Sequence, residues 1–222
     1  MTSSYTAASL ESDGNPSPGP AAPLTGLILA GGKSSRFGSD KASASLHGRP
    51  LLQWVASALE PVCSALVVVR AAGQRLPDID VRIPVTIADD QYEAKGPLAG
   101  LVSGFPHVAT EYCFAVSCDA PLLRPELVAH LAAMAPGFDI VCPYLEEGFA
   151  EPLTAVYRAS VCLPAFRRAV ENDVLKIVAA YDALEVRKVT ASEVREADPD
   201  LRSFVNANRP EALDQIEHLL GR

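Results

Sequence analysis

The stretch that most constrains the fold runs over residues 24–41, where an apolar run ends at two adjacent glycines. Residues 24–29 predict a buried β-strand that ends at Gly31 and Gly32. Adjacent glycines allow a sharp turn with positive φ and let backbone N–H groups approach a polyphosphate without a Cβ in the way. Lys41 follows nine residues after the second glycine and supplies positive charge. The stretch therefore predicts a strand followed by a phosphate-binding loop.

Further polar side chains in this loop strengthen that interpretation. Lys33, Ser34 and Ser35 add hydrogen-bond donors, and Arg36 adds a second fixed positive charge. The alternative is plain turn chemistry, because a strand, a glycine pair and a loop also occur together where nothing binds. A short motif carries a risk of chance agreement, and it is Arg36 and Lys41 that favour a phosphate site.

The overall composition is that of an ordinary globular protein whose partner is a small molecule. Hydrophobic residues make up 49% of the 222 and charged residues 21%, which provides enough apolar material for a core. The formal net charge of −8 argues against the broad basic surface that nucleic-acid binding needs. We therefore expect a nucleotide as ligand, and no nucleic acid.

Cysteine usage and hydropathy indicate a cytoplasmic protein. The five cysteines and four histidines are scattered without a CxxC pair or zinc-ligand spacing, which favours buried, reduced thiols. No apolar run approaches the roughly 20 residues of a membrane helix, and no signal pattern opens the chain. Residues 1–23 are rich in Ser, Ala, Pro and Gly and predict a disordered extension, whereas residues 24–222 are expected to form one domain.

Strand and helix patterns alternate along this domain. Short β-branched or aromatic runs predict strands, and apolar residues spaced three or four apart predict helices. The expected strands cover residues 24–29, 65–70, 81–88, 112–117, 138–143, 152–158 and 183–189, and the stretch from Phe204 ends a further short strand. The expected helices cover residue 51 to near 60–61, 96–107, 125–134, 161–170 and 174–181, and a last helix, with Asn208 as N-cap and Pro210 in its first turn, runs through 220; residues 190–201 form an irregular acidic segment. This alternation predicts a three-layer α/β fold with a mainly parallel sheet.

An acid stands at the end of the predicted strand 112–117. Asp119 follows that apolar run, and open parallel sheets bind ligands beyond the carboxyl ends of their strands, so Asp119 is a candidate metal ligand. The alternative is that Asp119 only caps the helix that begins near Pro125. Residues 96–100, GPLAG, open another helix with small residues that allow a ligand to approach the backbone.

Together these residues suit nucleotidyl transfer, in which a phosphate of one substrate attacks the α-phosphorus of a nucleoside triphosphate and pyrophosphate leaves. Both reactants are anions, and two unit charges at close approach repel by about 4 kcal/mol at an effective dielectric constant of 20. Mg²⁺ on Asp119 would bridge phosphate oxygens, and Arg36 and Lys41 would neutralise the pyrophosphate. The loop is neither a P-loop nor GxGxxG, so an ATPase and a dinucleotide-dependent dehydrogenase are not supported.

Four motifs carry a family resemblance: LILAGGKSSRFGSDK from residue 27, GPLAG from 96, SCDAPLL from 117 and FVNANRPEAL from 204. From about residue 24 to 220 the chain resembles the molybdenum cofactor guanylyltransferases, the MobA-like group of nucleotidyltransferases. The resemblance implies a Rossmann-like nucleotidyltransferase fold with a mostly parallel twisted sheet. It also implies GTP and molybdopterin, or the molybdenum cofactor, as substrates, with Mg²⁺ as cofactor. Molybdenum-insertion proteins and molybdoenzyme chaperones are the protein partners it suggests.

The resemblance assigns roles to individual residues. Lys41 would contact the nucleotide phosphates, and Asp119 would contact both the nucleotide and Mg²⁺. Asp89 would lie near the guanosine, with the adjacent Asp90 as the alternative. The other nucleotide contacts that the resemblance implies are Leu29, Ala30, Gly31, Gly32, Gly96, Pro97 and Leu98.

The closing motif is assigned to the second substrate, and the chain differs from the family pattern at two positions. Asn206 and Asn208 would lie on the molybdopterin side. Arg70 stands where the family often has asparagine, and Arg209 where threonine is usual. By this resemblance, LAGG in the first motif and GPLAG in the second favour guanine as the base, because the related cytidylyltransferases have LAAG in the first motif. A cytidylyltransferase on the same cofactor, a sugar-1-phosphate nucleotidyltransferase and a non-catalytic nucleotide- or cofactor-binding carrier protein are the alternatives.

Overall fold

A central sheet of seven strands, in the order β5-β4-β1-β6-β8-β7-β9, organises the molecule. The computed structural model describes residues 22–31, 40–92, 95–145, 148–208 and 210–220. The strands of this sheet are β1 (Leu24–Leu29), β4 (Ala65–Arg70), β5 (Val85–Asp89), β6 (Tyr112–Ser117), β7 (Ile140–Tyr144), β8 (Thr154–Tyr157) and β9 (Val186–Thr190), and a separate hairpin pairs β2 (Ser45–Leu46) with β3 (Arg49–Pro50). Only β8 runs antiparallel to its neighbours β6 and β7. The mainly parallel α/β sheet is confirmed.

Helices cover both faces of the sheet. They are α1 (Leu51–Leu59), α2 (Gly96–Gly104), α3 (Pro125–Ala133), α4 (Ala159–Glu171), α5 (Ala191–Arg195) and α6 (Pro210–Leu220). Side chains of α1, α3 and α5 join one apolar cluster and those of α2 and α4 join another on the opposite face. Because both faces are covered, the central parallel strands β1, β4 and β6 are largely buried, which is why their sequences read as nearly continuous apolar runs.

The central strand β1 shows this two-sided burial most clearly. Ile28 belongs to the cluster of α1 and α3, whereas Leu27 and Leu29 belong to the cluster of α2 and α4. Leu27 and Ile28 are both fully buried. The five cysteines are likewise free and buried, as the sequence predicts.

Several predicted boundaries shift in the structure. The strand expected over 81–88 begins only at Val85, directly after Pro84. The helix expected over 96–107 ends at Gly104 and continues as a 3-10 turn over Phe105–His107, whose second residue is Pro106. Proline lacks the N–H that an α-helix needs and restricts the residue before it, so the helix ends there.

Two predicted elements are wrong in type. Residues 174–181 form only a 3-10 turn over Ile177–Ala180, from which Ile177, Ala180 and Tyr181 pack into the cluster of α2 and α4, whereas Leu175 and Val178 are exposed. Tyr181 stacks on Phe166, and its hydroxyl lies 2.8 Å from that of Tyr157. The short strand expected from residue 204 is also wrong: Arg202–Phe204 form a 3-10 turn and residues 205–208 lie in a loop.

The segment expected to be irregular, residues 190–201, begins with the helix α5. Thr190 and Glu193 form a capping box, in which each side chain accepts a hydrogen bond from the backbone N–H of the other residue. The Glu193 carboxylate accepts hydrogen bonds from the N–H and the hydroxyl of Thr190 and from Arg187, and these lower the pKa of Glu193 to about 2. The T-x-x-E spacing is a known helix-start signal and could have predicted this helix.

Part of the predicted architecture lies outside the described residues. Residues 1–21 of the expected extension belong there, as do Gly32, Lys33, Ser34, Ser35 and Arg36 of the predicted phosphate loop. Among the described residues, no helix has both the length and the apolarity needed to cross a bilayer.

Candidate active site

The carboxyl ends of three parallel strands meet at one edge of the sheet. The register pairs Leu29 at the end of β1 with Val69 of β4 on one side and Ser117 of β6 on the other. The residues that follow these strand ends are therefore neighbours in space although they are far apart in sequence. Open α/β sheets bind their ligands at such an edge.

Lys41, Asp119 and Asn208 come together here from three separate segments. The Lys41 ammonium donates to Oδ2 of Asp119 at 2.6 Å and to Oδ1 of Asn208 at 3.1 Å. The Asp119 side chain is 8% exposed and that of Lys41 23%, so the pair is only partly open to solvent. Since a charged hydrogen bond of this length is strong, the lysine and the carboxylate hold each other in a defined position.

The loop before α6 is tied directly to the strand end that carries the acid. The N–H of Ala207 donates to the carbonyl of Asp119 at 2.8 Å, and the N–H of Asn208 donates to the carbonyl of Asn206 at 2.9 Å. Ala207 itself is buried with Leu122 and Ile216 in a small apolar cluster that joins α6 to the β2–β3 hairpin. The two asparagines flank this anchor; Asn208 reaches Lys41, whereas Asn206 is exposed.

Gly31 is required for close packing and not for an unusual backbone angle. It is absent from the glycines with positive φ, contrary to the expected sharp left-handed turn. A Cβ on Gly31 would lie 2.7 Å from the amide nitrogen of Ala71 and 3.1 Å from the carbonyl carbon of Arg70. The N–H groups of Ala30 and Gly31 both donate to the carbonyl of Val69, at 2.8 and 3.1 Å. These two N–H groups therefore bind the adjacent strand.

A cavity of about 830 Å³ opens beside this junction. Its floor comes from the ends of β1 and β4, and one wall comes from the start of α2. The lining residues are Leu29, Gly31, Val69, Ala71, Ala72, Asp90, Gln91, Tyr92, Lys95, Gly96, Pro97, Gly100, Ser117 and Leu153. This volume is in the range of small-molecule sites, and small or apolar residues dominate the lining.

Four residues that the resemblance assigned to nucleotide contact line this cavity: Leu29, Gly31, Gly96 and Pro97. The side chain of Leu98 is fully buried in the core on the α2 side of the sheet, so only its backbone is near the helix start. Ala30 is also buried, and its carbonyl accepts a hydrogen bond from Gln74.

The two adjacent acids point to different surroundings. Asp89 pairs with Arg70 at 2.7 Å, and its side chain is 56% exposed. Asp90 lines the cavity, and its Oδ1 accepts hydrogen bonds from the hydroxyl of Ser103 at 2.9 Å and the N–H of Tyr92 at 3.1 Å. In the part of the chain that the structure describes, Oδ2 of Asp90 has no hydrogen bond and is available to a ligand.

Two polar residues near the cavity were missed by sequence reasoning. Lys95 lines the cavity and forms an ion pair with Asp173. Gln74 lies in the turn after β4 and donates to both the carbonyl of Ala30 and Oδ1 of Asp40. Neither belongs to a recognisable motif, and only the folded backbone brings them to this edge.

Cys118 directly precedes Asp119 but is unsuited to act as a nucleophile. Burial, reinforced by the charge of Asp119, raises the pKa of the Cys118 thiol. A thiol that stays protonated is a poor nucleophile and packs as a small apolar group. The site therefore offers ammonium groups, a carboxylate and amides. These groups can bind phosphates and act on them without a covalent intermediate on the protein.

The donor set suits a hard divalent cation shared with a substrate. Asp119 supplies a carboxylate, and the ranges described by the structure contain no group of three or more His, Cys, Asp or Glu that could hold a metal alone. Mg²⁺ is usually held in this way, by one or two carboxylates together with substrate phosphates and water. A single carboxylate at this place therefore fits a divalent cation that is shared with the phosphates of a substrate.

Comparison with solved structures defines the class of this fold. Molybdopterin-guanine dinucleotide biosynthesis protein A from Archaeoglobus fulgidus superposes with a TM-score of 0.72 at 25% identity, covering 89% of this chain and 98% of that one. A 2-C-methyl-D-erythritol 4-phosphate cytidylyltransferase from Thermus thermophilus shares the fold at a TM-score of 0.68 and 15% identity, covering 91% of this chain and all of the other. The fold is that of the nucleotidyltransferases.

Sequence comparison then identifies the family. Residues 26–187 match the model of the MobA-like NTP transferase domain, and the chain belongs to this family. The molybdenum cofactor guanylyltransferase of Desulfosudis oleivorans is 34% identical over 87% of this chain and 94% of its own length. A probable molybdenum cofactor guanylyltransferase of Natronomonas pharaonis is 35% identical over 89% of this chain and 98% of its own length.

Replacing Gly31 tests the close packing at the strand ends. We expect Gly31→Ala to lower the free energy of unfolding by about 1–3 kcal/mol, because the new Cβ meets backbone atoms that cannot move without separating β1 from β4. Urea unfolding measures the loss.

Gly100→Ala is the matched control for that variant, since its Cβ would meet only the side-chain carbons of Leu29, at 3.2–3.7 Å. Those carbons can shift, and alanine is favoured over glycine in a helix. Equal losses in the two variants would contradict the assignment of Gly31 to backbone packing.

Proposed function

We propose that this protein transfers GMP from GTP to the terminal phosphate of molybdopterin or its molybdenum-loaded form, releasing pyrophosphate. The observation that carries the proposal is the contact of Lys41 with Asp119 and Asn208 at the sheet edge beside the cavity. A carrier protein needs neither a cation for a leaving group nor a carboxylate for a metal. The names of the relatives, which are guanylyltransferases, favour guanine over cytosine.

The cavity provides the place for the nucleoside. Its apolar floor of Leu29 and Val69 suits a planar base, and Asp90 on the wall presents a carboxylate oxygen. Guanine carries two adjacent N–H donors on one edge, which match a carboxylate acceptor, whereas cytosine presents an acceptor at the corresponding ring nitrogen. We therefore assign the acid near the base to Asp90 and leave Asp89 to its ion pair with Arg70.

The triphosphate would extend from the cavity toward Lys41. In the reaction, an oxygen of the acceptor phosphate forms a bond to the α-phosphorus while the bond from that phosphorus to the pyrophosphate oxygen breaks, and pyrophosphate takes the electron pair. Lys41 would neutralise the charge that develops on pyrophosphate, a form of electrostatic stabilisation that strengthens in the transition state. Arg36 is assigned the same task on the predicted loop.

Asp119 would hold Mg²⁺ together with phosphate oxygens, and the bound ion would supply charge neutralisation and Lewis-acid polarisation of the phosphoryl group. The side-chain oxygen Oδ1 of Asn208 accepts a hydrogen bond from Lys41, so the side-chain NH₂ group of Asn208 would donate to the phosphate of molybdopterin. Asn206 lies two residues away on the exposed side of the same loop and would extend this acceptor surface. Lys41 thus stands between the two anionic substrates.

The nucleotide choice tests the overall proposal. With molybdopterin and Mg²⁺ present, we expect pyrophosphate release from GTP to exceed that from CTP, ATP and UTP by at least about tenfold in kcat/KM, which corresponds to one good hydrogen-bonded discrimination of about 1.4 kcal/mol. A coupled pyrophosphate assay measures the four rates. Faster turnover of CTP would show that the protein transfers CMP and not GMP. If no nucleotide is turned over, the protein would be a non-catalytic carrier.

Replacing the paired charges tests the mechanism. We expect Asp119→Asn and Lys41→Met each to lower kcat by at least about a hundredfold, because each removes a group that acts on phosphate charge in the transition state. Circular dichroism checks that both variants fold.

Lys188→Met is the matched control for the lysine, because Lys188 lies on the far edge strand β9, where its ammonium stacks on Tyr144. It should keep normal turnover. Near-normal rates in Asp119→Asn or Lys41→Met would exclude the proposed roles.

The two adjacent acids give a further test of base recognition. Asp90→Asn should raise the KM for GTP by about ten- to a hundredfold, since a hydrogen bond to a charged group contributes about 1.5–3 kcal/mol. It should also remove the preference for GTP over ITP, which lacks the 2-amino group. Asp89→Asn, which alters only the exposed pair with Arg70, should change neither value more than twofold; the reverse pattern would assign the base to Asp89.

A further inference from the structure

We propose that Gln74 is the positioning residue for Lys41, acting by fastening both ends of the segment between Ala30 and Asp40 to the turn after β4. The inference rests on the proposed function, in which Lys41 acts on the triphosphate, and it adds a residue that belongs to none of the four sequence motifs.

The turn that carries Gln74 is rigid. The N–H of Gln74 donates to the carbonyl of Ala71 at 3.0 Å, and Oε1 of its side chain accepts from the N–H of Ala71 at 2.8 Å. Nη1 of Arg70 donates to the carbonyl of Gln74 at 3.0 Å, and Gly73 adopts a positive φ of 74° between them. Because its backbone and its side-chain oxygen are both held, the side-chain NH₂ group has a defined direction.

That NH₂ group contacts both ends of the segment. Nε2 donates to the carbonyl of Ala30 at 3.0 Å and to Oδ1 of Asp40 at 2.7 Å. The two hydrogen atoms of one amide thus hold the exit of β1 and the residue that precedes Lys41. The close approach of Gly31 to the nitrogen of Ala71 places the start of the segment against the same turn.

Asp40 passes this constraint on to Lys41. Asp40 is the N-cap of the 3-10 turn Lys41–Ser43, and its Oδ1 accepts from the N–H of Ala42 at 3.2 Å while Oδ2 accepts from the hydroxyl of Ser43 at 3.2 Å. The backbone of Lys41 therefore starts from a fixed point, and its ammonium reaches Asp119 and Asn208. Without Gln74, Asp40 would lose its link to the sheet, and the carbonyl of Ala30 would lose its donor.

The chain offers a matched control in Gln53. This residue is also a glutamine with three side-chain hydrogen bonds that tie a loop to a regular element, and it is buried: Nε2 donates to the carbonyl of Asp80 and the hydroxyl of Ser57, and Oε1 accepts from the N–H of Asp80. It lies on α1, outside the cavity lining and the lysine site. Gln53→Ala thus removes the same kind and number of contacts without touching Asp40.

The experiment compares Gln74→Ala, Gln74→Glu and Gln53→Ala by pyrophosphate release from GTP with molybdopterin, calorimetric titration with GTP and Mg²⁺, and urea unfolding. We expect both alanine variants to shift the unfolding midpoint similarly. Gln74→Ala should lower kcat at least tenfold and weaken nucleotide binding about fivefold, whereas Gln53→Ala should change both less than twofold. Equal losses of activity in the two alanine variants, or a normal kcat in Gln74→Ala, would overturn the inference.

Charge provides a readout that a merely structural role would not move. Gln74→Glu keeps the acceptor for the N–H of Ala71 but loses both donors and places a second carboxylate beside Asp40. Adding Asp40→Asn should raise the kcat of Gln74→Glu at least threefold and should not raise that of Gln74→Ala. If the second substitution helps neither variant, Gln74 does not act through Asp40.

Failure of the proposed function has a different signature. A wild-type protein that binds GTP but releases no pyrophosphate would overturn the transfer reaction, and the role of Gln74 would then be judged by the fivefold difference in binding alone. A wild-type protein that binds no nucleotide would overturn both.

Discussion

The parallel pairing of β1 with β4 on one side and β6 on the other is the constraint on which the rest of the structure depends. It brings three carboxyl strand ends to one edge, so that Gly31, Ala71 and Asp119 become neighbours. The pairing is close enough that a glycine is needed after β1, because any Cβ there would meet the backbone after β4. The cavity and the lysine–aspartate contact both lie at this edge, because the cavity is lined by residues at the ends of β1 and β4 and Asp119 follows the end of β6.

At that edge the balance of charge is local. The chain as a whole carries a net charge of −8, and a polyphosphate would be repelled by it at long range. Lys41 and Lys95 provide positive charges near the cavity. Lys41 is paired with Asp119, and Lys95 is paired with Asp173. The paired state keeps a buried carboxylate compensated until a ligand arrives, because an unpaired charge at 8% exposure would cost several kcal/mol. The ion pair between Lys41 and Asp119 thus stabilises the free protein at the place where the proposed reaction needs both charges.

Much of this fold could be predicted from the sequence, because buried parallel strands leave a strong apolar signal. Residues 24–29, 65–70 and 112–117 match β1, β4 and β6 at both ends. The pattern fails over 174–181, where apolar residues at helical spacing form a 3-10 turn and only Ile177, Ala180 and Tyr181 pack into the core. At the site, Lys41 and Asp119 were predicted separately from motifs. Gln74 was not predicted, because its role depends on where a turn without a motif lies in three dimensions, and the choice between Asp89 and Asp90 depends on which way two adjacent side chains point.

The anchor between Ala207 and the carbonyl of Asp119 has a consequence for the order in which the protein matures. The sheet strands on either side of the site are complete within the first 120 residues, yet Lys41 and Asn208 are 167 positions apart and meet only when the loop before α6 has docked. The residues that line the cavity, the last of which is Leu153, therefore all precede the loop that is assigned to the acceptor. A chain that leaves the ribosome N-terminus first would thus complete the lining of the cavity before it presents Asn206 and Asn208, so the part assigned to the nucleotide can form ahead of the part assigned to the acceptor.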